Sequence, residues 1–234
     1  MHGEKLHTNY PGMFYVMLIS AETNHIFMIP LMLNLHGRRV VIFGGGEVGR
    51  RKAAHFLPEA DVLVVSRSFH PGFEEMPLAR LVCDLDTVTD AVLAEMLSEV
   101  FLAVAATPAP ALNARIGRLC RAGGVLFNDA GGGVADVTLP AVARGKNYII
   151  AVSTGGSSPA VARWLRRRIE DEYAHLDGMI ALQQELRTLL REKVPDQGNR
   201  TRILRDMLND DAIWAMLATH PDEVRNVMIR KYVP

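Results

Sequence analysis

Three glycines with the spacing G-x-G-x-x-G, Gly44, Gly46 and Gly49, are the first residues of this chain that could do chemistry. They follow an apolar run at 39–43 and precede an amphipathic stretch, so the motif joins a predicted strand to a predicted helix. Such glycines permit a tight turn, a close approach of the backbone to a pyrophosphate and close packing of helix on strand. The helix N-terminus also offers free N–H groups to an anion. The motif predicts a dinucleotide-binding loop formed by Gly44, Gly45, Gly46, Glu47, Val48 and Gly49. A glycine-rich turn that binds no ligand could have the same spacing of glycines.

Residues that could select the cofactor follow two later predicted strands. A carboxylate about 20 residues after the glycine motif commonly holds the ribose hydroxyls, but here the second strand ends in Ser66 and Arg67. Because this position has no carboxylate, nothing there would repel the 2′-phosphate of NADP. Arg67 is either a ligand of that phosphate or a solvated loop residue. Ala106 and Thr107 end the fourth predicted strand, where small residues either leave room for a nicotinamide or adenine ring or simply pack against a helix. These residues alone leave NAD and NADP open.

Two further segments could act on a substrate. Asp129 ends the fifth predicted strand within NDAGGG, where it is either a reactive carboxylate facing the ligand crevice or a turn former. Downstream, STGGSSPAVARWLRRR predicts a second helix start, with Ser158 as the N-cap and Pro159 at the first helical position. This start is a second candidate anion site. The helix presents apolar residues on one face and a group of cations on the other, which are either anion ligands or a solvated surface: Arg163, Arg166 and Arg167.

The elements that position these residues alternate between short apolar runs and amphipathic stretches. Strands are expected at 39–43, 61–66, 81–83, 101–107 and 124–129, with helices at 87–98 and 109–122 among the connections. This alternation predicts an α/β fold, a Rossmann-type doubly wound parallel sheet. From residue 135 two strands and a helix are expected, and from residue 173 only helices, with breaks at 194–199 and 220–221.

The predicted organisation therefore has four parts. Residues 1–27 form a poorly ordered extension, 28–135 an NAD-binding Rossmann domain, 136–172 a small α/β dimerisation and substrate region, and 173–234 a C-terminal helical domain.

Composition excludes several functional classes. The 234 residues carry 26 Lys and Arg against 26 Asp and Glu, so no global positive field favours nucleic acid. MFYVMLIS, from Met13, is too short to span a bilayer, and we predict no membrane partner. We predict that Cys83 and Cys120 are buried free thiols, as expected for a protein of the reducing cytoplasm. The histidines form no close pair, and we predict no resident metal.

Several segments together resemble a known family, precorrin-2 dehydrogenase, the sirohydrochlorin-forming module of sirohaem synthase. They cover about residues 29–172 and are PLMLNLHGRRVVIFGGGEVGRRKA from Pro30, AVAAT from Ala103, NDA from Asn128, TLPAVARG from Thr138 and AVSTGGSSPAVARWLRRRIE from Ala151. The remainder from about Tyr173 is similar to the family only in its helical character. The extension before Met28 does not match it.

The resemblance implies that NAD accepts a hydride from precorrin-2, a reduced tetrapyrrole ringed by acetates and propionates, to yield sirohydrochlorin. It also implies a homodimer, with the region after residue 135 at the subunit interface and the helical region at the substrate cleft. Asp129 matches, allowing for a one-residue difference in loop length, the strand-end aspartate to which the family assigns an essential role, although GGG replaces a bulkier polar stretch here. The substrate ligands implied are Asn128, Ser153, Thr154, Gly155, Gly156, Ser157, Ser158, Arg163 and Arg166.

Two alternatives stand beside an NAD-dependent precorrin-2 dehydrogenase. The family includes bifunctional enzymes that also insert iron, and Asp129 is the candidate that the two reactions would share. A non-catalytic module that senses NAD and signals through its helical tail is the alternative of a different class. A sensor needs no tetrapyrrole cleft, so the second helix start and its arginines favour an enzyme.

Overall fold

The computed structural model describes residues 28–234, so the predictions for residues 1–27 lie outside the described part of the chain. Residues 28–31 have no regular secondary structure and belong to a unit separate from Met32–Pro234. The second unit carries every helix and strand described below.

A five-stranded parallel sheet forms the first half of this unit and confirms the predicted fold class. Its order is β3-β2-β1-β4-β5. The chain moves outward from β1 to β3 and then crosses back to β4, so the connections diverge between β1 and β4. That switch point is where ligands bind in open α/β sheets. The strands are β1 (Arg39–Phe43), β2 (Asp61–Ser66), β3 (Ala79–Val82), β4 (Val100–Ala105) and β5 (Leu126–Asp129).

Helices cover both faces of the sheet because successive strand residues point to opposite sides. Ile42 packs with Ala53 and Phe56 on the face that carries α1, whereas Val41 and Phe43 belong to the opposite core cluster. The helices are α1 (Glu47–Phe56), α2 (Asp90–Met96) and α3 (Pro110–Gly123), with a single 3₁₀ turn at Pro71–Phe73.

Several sequence predictions are corrected in detail. The fourth strand ends at Ala105, so Ala106 and Thr107 lie in the following loop. The helix expected at 87–98 begins only after its N-cap Thr89, whose hydroxyl accepts from the N–H of Val92. Cys120 is buried as predicted, but Cys83 is only half-buried because it follows the exposed edge strand β3.

A two-stranded antiparallel hairpin follows the sheet and confirms the change of architecture near residue 135. It consists of β6 (Ala141–Arg144) and β7 (Ile149–Val152), against which α4 (Pro159–Glu172) packs. Only Ala162 of α4 is fully buried. This layer is therefore too thin to hide the apolar face of its helix within one chain.

The remainder is helical, as predicted, with its own core of residues such as Leu186, Leu190 and Met228. Asp210 separates two helices that the sequence suggested were continuous, and it accepts hydrogen bonds from Ala212 N, Lys231 Nζ and Tyr232 Oη. The helices are α5 (Leu176–Lys193), α6 (Gln197–Leu208), α7 (Asp211–Thr219) and α8 (Pro221–Tyr232). None of the helices within residues 28–234 is both long and apolar enough to cross a membrane.

A carboxylate connects the helical region to the hairpin. Asp177, in the first turn of α5, accepts the N–H groups of Lys146 and Asn147 at 2.8 and 2.7 Å. The N–H of Lys146 is the main reason why the pKa of Asp177 lies below its usual value. The turn between β6 and β7 is thereby held at the start of the helical region.

Candidate functional site

The carboxyl ends of four parallel strands lie in one row and bring most of the predicted cofactor residues together. Phe43, which precedes the glycine loop, pairs in register with Val65 on one side and Ala105 on the other, and Ala105 pairs with Asp129. Since neighbouring strands are about 4.8 Å apart, Asp129 lies about 10 Å across the sheet from the end of β1. Main-chain bonds from Ala106 N to Phe43 O and from Ala130 N to Ala105 O extend this row past the strands.

The glycine loop, residues 44–49, is packed tightly at three positions and open at one. Gly44 has φ +122°, and a methyl group on it would lie 2.5 Å from the carbonyl oxygen of Ala106. A methyl group on Gly45 would collide with the carbonyl oxygen of Ser68, and one on Gly49 with that of Gly44. Gly46 has nothing within 4 Å of its side-chain direction. The loop thus has open space at the glycine expected to face a pyrophosphate.

The first turn of α1 presents free main-chain donors beside a charged cluster. Gly46 is the N-cap in extended conformation, and no side chain from residues 28–234 caps the helix, so its first N–H groups are open to a ligand on the described part of the chain. The exposed side chain of Glu47 binds Arg50 at 2.8 and 2.9 Å and lies 3.6 Å from His70. The bond from Arg50 is the main reason why the pKa of Glu47 is lowered. Glu47 is thus paired with Arg50, and Val48 is exposed at 38%.

The end of β2 borders the same loop. His70 N donates to Gly45 O at 2.7 Å, and Phe69 and Ser66 lie next to the side-chain direction of Gly45. Ser66 is half-buried and Arg67 is exposed. Both predicted ribose-binding residues therefore lie at the same sheet edge as the glycine loop, without a carboxylate at the end of the strand.

Asp129 is held in a polar network that reaches the loop after β4. Its Oδ1 accepts from Gly131 N at 2.7 Å and lies 3.5 Å from the amide nitrogen of Asn113. That amide also donates to Thr107 O at 3.2 Å, and the Thr107 hydroxyl lies 2.6 Å from Asn113 Oδ1. Asp129 thus forms the glycine turn and also lies at the carboxyl edge of the sheet.

Asn113 is a residue that the sequence reasoning missed. It lies in the first turn of α3 and is 2% exposed, although asparagine at that position would ordinarily be solvated. The available signal was its place six residues after Thr107, which ends the fourth predicted strand, close enough to fold back on that loop.

The predicted substrate ligand Asn128 is 5% exposed. Its amide nitrogen donates to Val137 O at 2.7 Å, and its Oδ1 is buried with no hydrogen-bond partner among the described residues. Asn128 therefore ties the chain after β5 back onto the sheet and retains one acceptor for a further donor.

The second glycine-serine loop, residues 153–158, is organised by its own hydroxyl groups. Ser153 Oγ accepts from Gly155 N at 3.1 Å, and Thr154 Oγ1 accepts from Ser158 N at 3.0 Å. Ser158 caps α4 as predicted by accepting from Val161 N at 3.4 Å. Gly155 and Gly156 have φ of +61° and +87°, a conformation suited to glycine. Within residues 28–234, no hydrogen bond joins this loop to the ends of β1, β4 or β5.

The arginines of α4 differ from the single cationic face that the sequence predicted. Arg166 is half-buried, on the same side of the helix as Ala162, and both nitrogen–oxygen contacts to Glu170 are below 3 Å. Arg163 and Arg167 are exposed. Of the two predicted substrate ligands on α4, Arg166 is therefore paired with an intrahelical carboxylate, whereas Arg163 is exposed.

The apolar side of α4 is exposed in the single chain. Trp164 is 59% exposed, Val161 47%, Tyr173 42% and Leu165 37%. These four side chains, with Ile149 of β7 at 44%, form an exposed set that we call the α4 face. Within residues 28–234, no group of three His, Cys, Asp or Glu side chains is arranged to hold a metal ion.

Comparison with known families divides the chain at the same place as the fold. A model described as putative NAD(P)-binding matches residues 31–141, which contain the parallel sheet and the glycine loop. A second model, described as sirohaem biosynthesis protein central, matches residues 150–172, which contain the second loop and α4.

Individual relatives agree with these families. The chain is 39% identical over 202 residues to a precorrin-2 dehydrogenase of Methanosarcina barkeri, covering 83% of this chain and 88% of that protein. It is 32% identical to a siroheme synthase of Ectopseudomonas mendocina, covering 83% of this chain but only 42% of that longer protein. The solved structure of SirC, precorrin-2 dehydrogenase, superposes with a TM-score of 0.64 at 23% identity, over 88% of this chain and 96% of that one, which supports the fold.

Proposed function

We propose that this chain, which belongs to the precorrin-2 dehydrogenase family, uses Asp129 and the glycine loop to oxidise precorrin-2 to sirohydrochlorin in sirohaem biosynthesis. The observation that supports this proposal most strongly is the arrangement at the carboxyl edge of the sheet. The glycine loop follows β1, the Thr107 loop follows the neighbouring β4, and Asp129 ends β5 beside it. A nucleotide site and a candidate base are therefore on one surface, at the switch point of the sheet.

The residues of the loop fit a dinucleotide. Gly46 leaves open space where a pyrophosphate needs it, and the uncapped start of α1 supplies N–H donors. Ser66 and Arg67 would hold the adenosine ribose, and Ala106 with Thr107 would border the nicotinamide. When bound, the dinucleotide supplies the acceptor for a hydride.

NAD is the acceptor that we propose, as the resemblance of the sequence implies, and the residues at the end of β2 leave NADP open. The end of β2 has no carboxylate that would repel the 2′-phosphate of NADP, and the exposed Arg67 can pair with that phosphate. Comparison of KM for the two cofactors tests this proposal, and a ratio above about 1,000 in favour of NAD would exclude Arg67 as a ligand of the 2′-phosphate.

Asp129 is proposed as the base. Loss of two hydrogens from the macrocycle releases a proton along with the hydride, and a carboxylate at the sheet edge can accept that proton. Oδ1 is occupied by Gly131 N, so Oδ2 is the oxygen left for substrate. The same bond orients the carboxylate, as general base catalysis requires.

The second loop and Arg163 are proposed to bind the carboxylates of the tetrapyrrole. The N-terminus of α4 and an unpaired guanidinium suit an acetate or propionate. The residues proposed as ligands are Asn128, Ser153, Thr154, Gly155, Gly156, Ser157, Ser158, Arg163 and Arg166.

A homodimer formed through the α4 face would complete the second region. Tryptophan, tyrosine and branched aliphatic side chains, exposed together on a helix and its hairpin, are typical of the centre of an interface. Burial of these side chains by a second copy would also fix the N-terminus of α4 beside the substrate.

The direct experiment incubates purified protein with precorrin-2 and NAD or NADP and follows the absorbance of sirohydrochlorin. We expect product only when the dinucleotide is present. Cofactor binding without product would favour the NAD-sensing alternative instead. Addition of ferrous iron or cobalt to the same reaction tests the chelatase activity of the bifunctional alternative.

A further inference from the structure

A groove between α5 and α6 carries a concentration of positive charge that the proposed reaction does not use. Its volume is about 480 Å³, and four arginines line it: Arg187, Arg191, Arg200 and Arg205. No carboxylate is among its described lining residues. In a chain with no net charge, four cations facing one groove form a local anion site. We call it the arginine groove.

The acidic residues of the two helices are engaged elsewhere or lie outside the groove. Glu185 pairs with Arg225 of α8, and Asp196 caps α6 by accepting from Asn199 N at 2.8 Å. Glu192 and Asp206 are exposed and do not line the groove. The positive charge is therefore not neutralised by nearby carboxylates, as it is for Arg166 on α4.

The groove is also partly rigid before any ligand binds. Arg200 donates to Val194 O at 2.7 Å and to Pro195 O at 2.6 Å, which fixes its guanidinium at the connection between the helices. Gln183 Nε2 donates to Leu204 O at 2.9 Å and ties α5 to α6 across the groove. A pre-formed site loses less conformational entropy on binding.

Apolar surface distinguishes this groove from a site for a simple inorganic anion. Leu204 and Leu208 line it between the arginines, and Leu208 is 45% exposed. Arg187 and Arg191 are one helical turn apart on α5, and the stripe from Gln183 to Arg191 is about 12 Å long. A flat apolar ring with carboxylates on its edge would match both the leucines and the arginines.

We infer that the arginine groove is a second binding site for a polycarboxylate tetrapyrrole, the ligand class of the reaction proposed above, on which this inference rests for its choice of ligand. The site lies on two helices that carry none of the residues proposed for the cofactor or the first tetrapyrrole. One chain would accordingly bind two tetrapyrroles, one for oxidation and one retained on the helical region.

The test titrates uroporphyrin, which carries an acetate and a propionate on every pyrrole ring, into the full chain without dinucleotide. Calorimetry should give two molecules per chain for the unchanged protein. In the double variant Arg187→Ala/Arg191→Ala one of the two binding events should weaken by about tenfold or more. The matched control Arg118→Ala/Arg202→Ala removes the same charge from exposed positions on α3 and α6 outside the groove and should leave both binding events unchanged.

Two outcomes would overturn the inference. One is a single uroporphyrin per chain whose affinity is insensitive to Arg187 and Arg191. The other is displacement of the groove-bound ligand by tripolyphosphate at equal concentration, since that anion has no apolar surface and would mark a general anion site. Turnover of precorrin-2 is measured separately. Absent turnover with groove-dependent binding would reject the proposed function alone. Normal turnover with a single binding event insensitive to Arg187 and Arg191 would reject the inference alone.

Discussion

The glycine loop and the α4 region both offer a helix N-terminus to an anion, but they are built to different degrees within one chain. The first lies at the carboxyl edge of a five-stranded sheet, and three of its glycines have no room for a side chain. The second rests on a two-stranded hairpin, and its helix leaves Trp164 59% exposed. Buried strand residues on both sides position the first loop, whereas the second is organised by hydrogen bonds within itself, from the hydroxyls of Ser153 and Thr154 and from Ser157 N to Thr154 O.

From this difference we propose that the nucleotide site is complete in a single chain and that the α4 region is completed by a second copy. Tight packing of main chain against main chain leaves one arrangement for the first loop. An exposed apolar helix face calls for a covering surface. The predictions below test this contrast.

Asp129 should show the largest effect. Asp129→Asn keeps an oxygen that can accept the Gly131 N–H, so the turn should survive, but the amide cannot take a proton. We expect turnover to fall about 100- to 10,000-fold with little change in NAD affinity, measured by steady-state kinetics and calorimetry. Asp129→Ala should lose the turn as well and show a lower Tm. Full activity of Asp129→Asn would assign the carboxylate to the turn alone.

Gly46 and Gly49 should separate ligand binding from folding. Gly46→Val has open space and an ordinary φ of −77°, so its thermal unfolding should match that of the unchanged protein while NAD affinity falls about 100-fold, or about 2.8 kcal/mol. Gly49→Ala should instead lower the free energy of unfolding by about 2–4 kcal/mol, since its methyl group meets the Gly44 carbonyl. Retained NAD affinity in Gly46→Val would contradict the assignment of the loop.

Trp164→Glu should break the proposed dimer. Removal of a central aromatic side chain commonly costs about 2–4 kcal/mol of binding, which weakens association about 30- to 1,000-fold. Light scattering over a range of protein concentrations measures the change. Val82→Glu, at a residue 73% exposed on the edge strand β3, is the matched control and should leave the mass unchanged. A monomer in the unchanged protein would mean that the α4 region is complete without a second copy.

Asn113 should act as a positioning residue for Asp129. Asn113→Ala removes the amide that connects the Thr107 loop to Asp129, and we expect kcat to fall about tenfold with a smaller change in KM. In an Asp129→Asn background the same substitution should have little further effect on kcat, because the two residues act together. Additive losses in that double-mutant cycle would reduce Asn113 to a role in stability.

The arginines of α4 should give the smallest effects and should differ from each other. Arg163→Ala removes an exposed, unpaired cation and should raise the Kd of the tetrapyrrole several-fold, more at low salt. Arg166→Ala removes a cation already paired with Glu170, and its effect on Kd should be smaller. Equal values for both variants and the unchanged protein would assign both arginines to the solvated surface.

How far sequence reasoning reached depends on the kind of element. The strands were predicted well because runs such as VVIF and DVLVVS are apolar on both faces, which parallel buried strands require. The edge strand β3 was placed two residues late, since an exposed strand has no such run. The helix with Trp164 was predicted as amphipathic, but whether its apolar face is covered within the chain depends on how many layers the fold places there.

The candidate site divides in the same way. Glycine spacing between a strand and a helix is a local signal and was sufficient to predict the turn from β1 into α1. Asn113 and the pairing of Arg166 with Glu170 depend on which atoms meet after folding, and neither has a distinctive pattern in the sequence.

By itself, the order of residues determined the alternation of strands and helices, the glycine loop, the serine cap of α4 and the helical tail, because each follows from local propensity and periodicity. The tertiary structure alone decided that Phe43, Ala105 and Asp129 end in one row, that Asn113 is buried between two loops, and that four arginines share one groove. Strand register and helix packing bring together residues that are far apart along the chain. The distances between such residues do not follow from local propensity or periodicity.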